Sequence, residues 1–151
     1  MNQLLSIRTV ARRLSMVVGA ILFSAGLSFA ASPTLAEEAT VSGTVKLDPA
    51  LAAKITPSSV MFIFAKAEGG MPMPVAALRQ PTNAFPLTFT LDQSMAMMPT
   101  YSLAHVDQVK VVARISAIGD AIAHSGDLEG SVGPVKVGAN GLEITIDRVL
   151  P

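Results

Sequence analysis

From residue 39 onward the chain runs in short stretches of alternating apolar and polar residues, each stopped by glycine, proline or aspartate. A period of two is what a strand with one buried face requires, because successive side chains point to opposite sides of a sheet. Leu87, Phe89 and Leu91, alternating with Thr88 and Thr90, give the cleanest case. Val41, Gly43, Val45 and Leu47 alternate with Thr40, Ser42, Thr44 and Lys46. Val109 to Ile115 repeats the pattern, with Lys110, Val112 and Arg114 on the other face, and Leu142, Ile144 and Ile146 form a last strand. Val60 to Ala67 (VMFIFAKA) is apolar on both faces until Lys66, which predicts a central strand covered on two sides.

The connections are read from turn chemistry. Asp48-Pro49 has the order of an N-cap and first helical position, so Ala50 to Lys54 is expected to make a helical turn or two. Gly69-Gly70 and Met71-Pro72-Met73-Pro74 make a turn before a short strand over Val75–Gln80. Asp92 to Tyr101 reads as a loop, Gly126 to Gly133 as turn-rich, and Val135 to Val137 as a short strand. No helical period is sustained after residue 38, and no repeat is present. About seven short strands over roughly 110 residues predict an all-β fold, an antiparallel Greek-key β-sandwich of immunoglobulin-like or cupredoxin-like type, for residues 39–151.

The segment before it has a different character. Arg8, Arg12 and Arg13 precede an uncharged run from Leu14 to Ala30, and small residues then stand two before Ala30 and Ala36. That is the three-part layout of a secretory signal peptide over residues 1–36, with cleavage expected after Ala30 or Ala36 and a periplasmic destination. An uncleaved segment would instead tether the domain to the inner membrane, which is the one membrane contact expected.

All eleven acidic residues lie after position 36, and three of the eleven basic ones lie before it, so residues 37–151 carry a formal charge of −3. No basic stripe marks a nucleic-acid partner. With no cysteine, the chain holds no type 1 copper centre, no thiol nucleophile, no cysteine zinc site and no covalent c-type haem attachment motif. It has one tyrosine and no tryptophan, a poor basis for an aromatic ligand platform.

Four pieces of the text occur in a familiar order: Phe-Ala-Lys-Ala-x-Gly-Gly from Phe64, Met-Pro-Val-Ala-x-Leu-Arg from Met73, Leu-Asp-x-Ser-Met-Ala-Met from Leu91, and Gly-Asp-Leu-x-Gly from Gly126. With these pieces the chain resembles, from about Val41 to Pro151, the C-terminal periplasmic domain of the CycH family of cytochrome c-type biogenesis proteins. The resemblance implies a β domain of the haem-ligation machinery, in which separate tetratricopeptide repeats hold the apocytochrome. No 34-residue helical period is present here, so that holding role does not carry over. What is implied is a non-enzymatic accessory or interaction module, with protein partners among the cytochrome c maturation components.

Two loops could carry chemistry of their own. Met71, Met73, Met95, Met97 and Met98 offer thioethers suited to Cu(I), and His105 could join them, which gives a periplasmic copper-handling protein as the alternative function. Methionine also fills irregular space beneath loops, and no His-x-Met pair is present, so packing or interface contact explains these residues better. His105 and His124 lack a nucleophile motif or a paired carboxylate, and neither Ser94 nor Ser125 sits in a G-x-S-x-G elbow. Asp120, Asp127 and Glu129 lack the alternate spacing of a calcium loop and are expected to form turns. No catalytic residue, metal or cofactor is therefore expected.

Overall fold

The computed structural model describes residues 38–151, and the expected signal peptide lies outside them. Eight strands form two sheets: β1 (Val41–Leu47), β2 (Val60–Ala67), β3 (Pro74–Pro81), β4 (Leu87–Leu91), β5 (Gln108–Ser116), β6 (Leu128–Lys136), β7 (Leu142–Ile146) and β8 (Arg148–Val149). One sheet has the order β4-β1-β7 and the other the order β3-β2-β5-β6-β8. The chain passes from sheet to sheet five times, as a Greek-key sandwich requires. No helix among the described residues is long and apolar enough to cross a membrane.

The alternating runs fold as their period dictates. Val41 and Val45 of β1, Phe89 and Leu91 of β4, and Ile144 and Ile146 of β7 turn inward from the small sheet. Met61 and Ile63 of β2, Val109, Val111 and Ile115 of β5, and Leu128 of β6 meet them from the large one. Asp48 caps a 3-10 helix over Pro49–Lys54 by accepting the Ala50 N–H at 2.8 Å, and Leu51 plugs that end of the core.

Three details depart from the alternation. The pairs are antiparallel save one, since β1 lies parallel to β7 with Val45 opposite Ile144. Of the stretch expected to be turn-rich, Gly126 lies in a turn, but Leu128 to Gly133 form the first part of β6, which runs from Leu128 to Lys136 and absorbs the short strand expected at Val135. Its glycines serve close approach: a Cβ on Gly130 would lie 2.1 Å from the Thr145 carbonyl oxygen, and Gly133, at φ 137°, sits where the register against β5 shifts. The loop after β4 contains two 3-10 turns, Gln93–Met95 and Leu103–His105.

Candidate functional site

The outward faces of the two sheets differ in chemistry. On the small sheet Ser42, Thr44, Lys46, Thr88, Thr90, Glu143 and Thr145 face water, and Lys46 pairs with Glu143 at 2.7 Å. That is the polar surface a half-buried sheet is expected to show. On the large sheet the outward positions of β2 are Phe62, Phe64 and Lys66. The register sets Arg79 and Arg114 on either side of Phe62, and Ala77 and Val112 on either side of Phe64. A groove of about 540 Å³ runs over this face, with Phe62 and Phe64 in its floor. The double-sided apolarity of β2 is thus real, but its outer side is only partly covered.

Two walls flank the floor. One is the loop from Ala117 to Gly126, which carries Ile122, 69% exposed, into the groove rim. Hydrogen bonds fix this loop from several directions. Buried Asp127 accepts the His124 N–H at 2.9 Å and the Ala117 N–H at 3.4 Å, and Ser116 Oγ accepts the Asp120 N–H at 3.1 Å. Arg114 Nη1 donates to the Ala121 carbonyl at 3.5 Å. The other wall carries Pro72 and Met97, the latter 66% exposed. Here the two methionine loops meet, for the Tyr101 hydroxyl donates to the Met71 carbonyl at 3.4 Å and Tyr101 bridges to Met98.

Charge on this face is lopsided. Six of the eight basic residues in 37–151 point outward from the large sheet: Lys66, Arg79, Lys110, Arg114, Lys136 and Arg148. Glu129 is the single carboxylate on its strands. It takes Arg114 at 2.7 Å and also binds Arg148. Burial works against its charge, but the hydrogen bonds from Arg114 and Arg148 outweigh burial and hold its pKa below the ordinary carboxylate value. Lys66 Nζ and the Arg114 guanidinium stand 5.3 and 5.2 Å from the centroid of the Phe64 ring, within cation–π range. Lys66, Arg79 and Lys110 have no carboxylate partner among the described residues.

The residues singled out from sequence are placed as follows. Met71, Met97 and Met98 are exposed, while Met73 and Met95 are half-buried and Met95 packs against the core. His105 is exposed, and its Nδ1 meets Ser102 Oγ at 3.0 Å, a bond that closes the capped 3-10 turn. Ser94 is bound to Asp92, whose pKa is lowered by the side-chain and backbone hydrogen bonds from Ser94. Contrary to the expectation from sequence, His124 has a carboxylate neighbour, because the loop's fold brings Asp120 to 3.8 Å, while Asp127 and Glu129 turn to separate partners. No group of three histidine, aspartate or glutamate side chains converges on one point among the described residues. The sequence reading missed Lys66, Arg79 and Arg114 as a set. The signal was present in the shared parity of Phe62, Phe64 and Lys66 in β2 and of Lys110, Val112 and Arg114 in β5.

Comparison with known proteins adds a relationship to this geometry. The family model of the cytochrome c-type biogenesis protein H Ig-like domain matches residues 41–147. The cytochrome c-type biogenesis protein CycH of Pseudomonas aeruginosa is 35% identical over 119 residues, covering 77% of this chain. The chain spans 29% of that protein's length. No solved structure matches it.

Proposed function

The chain belongs to the family of the cytochrome c-type biogenesis protein H Ig-like domain, and on that premise we propose that it is a periplasmic, non-enzymatic module that serves c-type cytochrome maturation through protein contacts. The observation that carries this reading is the open outer face of the large sheet. Phe62 and Phe64 floor a groove there, whereas the small sheet's outer face is covered with threonine and one lysine–glutamate ion pair. An apolar floor walled by hydrogen-bonded loops is a preformed recognition surface. The chemistry-bearing side chains are spent on structure: Asp127 and Glu129 hold loops and arginines, and Ser102 and His105 close a turn. The signal peptide read from Arg8 to Ala36 supports export, and the family's part in cytochrome c biogenesis supports the pathway.

Affinity capture tests the reading. The full-length protein, tagged at its C-terminus and expressed in cells making c-type cytochromes, is crosslinked briefly and recovered from the envelope fraction. Components of cytochrome c maturation are expected to co-purify. Recovery of copper oxidases or copper carriers instead, with the maturation components absent, would favour the copper-handling alternative.

A further inference from the structure

We propose that the groove on the outer face of β3, β2 and β5 binds an extended protein segment that interleaves carboxylates with apolar side chains. The inference rests on the interaction role above and names the chemistry of the partner. Charge complementarity carries it. Residues 37–151 are net acidic at −3, yet six of their eight basic side chains gather on this one face, whose strands carry one carboxylate. Glu129 is already bound to Arg114 and Arg148, so it neutralises that end of the face and leaves Lys66, Arg79, Lys110 and Lys136 for an incoming acid. Two of these four, Lys66 and Arg79, line the groove together with Phe62, Phe64 and Ile122. A partner must therefore supply apolar side chains to the floor and carboxylates to the rim.

Concavity selects a segment over a broad surface. Phe64 is buried beneath Lys66 and Arg114, while Ile122 and Met97 stand out on opposite rims. A flat bilayer or a convex folded domain meets the rims before the floor, whereas a single chain enters between them. The hydrogen bonds that fix the Ala117–Gly126 wall mean that little ordering is left to be done on binding.

The test uses the full-length protein and three labelled synthetic peptides, read by fluorescence anisotropy. The first interleaves glutamate with leucine and phenylalanine, the second replaces each glutamate by lysine, and the third replaces each apolar residue by serine. The first should bind and the other two should bind at least about tenfold more weakly, with affinity for the first falling as salt rises. The double variant Lys66→Glu, Arg79→Glu should lose about tenfold or more toward the first peptide. Ile122→Ser should weaken the same peptide at unchanged salt dependence, an independent readout should the charge reversal unfold the domain. Equal binding of the glutamate and lysine peptides would overturn the proposal. So would preference for phosphatidylglycerol vesicles over every peptide, or a salt-sensitive dimer of this chain abolished by Lys66→Glu. Capture of maturation components that persists unchanged in the double variant would overturn the groove assignment and leave the interaction role standing. Peptide binding as expected, with no maturation component captured, would do the reverse.

Discussion

Glu129 has a larger part in the outer face than its single charge suggests. It is 11% exposed at the side chain, and it ties β5 to β8 through Arg114 and Arg148. Replacing it with glutamine leaves two arginines facing each other with no anion between them. Glu129→Gln should cost about 1.5–3 kcal/mol, the scale of a charged hydrogen bond, in a denaturant titration at neutral pH. The pH dependence follows from the direction of the shift. The folded pKa lies below the ordinary value of 4.5, so the stabilisation is complete above that value and is lost as pH falls through the folded pKa. The wild type's melting temperature should therefore drop on acidification below about pH 4.5, and Glu129→Gln should flatten that part of the curve. Phe89 tests the core in the same way. It is 2% exposed at the centre of the β4 inner face, and Phe89→Ala should destabilise by roughly 3–5 kcal/mol on chemical denaturation. A loss near zero would mean that the inner face of β4 is misassigned.

The elements show which features a sequence reveals and which it hides. β4 was legible from Leu87 to Leu91 because nothing interrupts its alternation, and the Asp48-Pro49 start of the first 3-10 helix was legible from its cap. β6 was not, because Gly130 and Gly133 look like punctuation. Gly130 is instead required by the approach of β6 to Thr145 of β7, a contact between sheets that no local pattern encodes. Gly130→Ala should cost about 1–3 kcal/mol by overpacking against backbone that cannot rotate away, measured by thermal melting. The parallel pairing of β1 and β7 was equally hidden, since alternation fixes a face but not a direction. The methionine loops were seen as a feature but not as a wall. Only the fold sets Met97 across from Ile122, over aromatic side chains of β2. Changing Met73, Met95 and Met97 together to leucine should keep the melting temperature nearly unchanged, since such swaps cost less than about 1.5 kcal/mol each. Titration of the wild type with Cu(I) against a competing chelator should show weak binding that the triple change leaves nearly as it was. Tight stoichiometric binding lost in the triple variant would shift the function toward copper.

At the scale of the whole molecule, two sheets of unlike character enclose one core. The smaller presents threonine and a lysine–glutamate pair to solvent, and the larger presents cations over the buried Phe64 ring and the half-buried Phe62. Core residues from both sheets supply the packing, and with no cysteine the domain has no disulfide to rely on. Residues 37–151 should accordingly melt in one cooperative step with a β-type far-ultraviolet spectrum in the presence of a chelator. If the large sheet's outer face meets a component of cytochrome c maturation, contact is detectable by site-specific photocrosslinking in living cells, with a photoreactive residue replacing Ile122 on the groove rim or Thr88 on the small sheet. An adduct with a cytochrome c maturation protein is expected from position 122 and none from position 88. Adducts from position 88 alone, or from position 122 only with proteins outside that pathway, would contradict that contact.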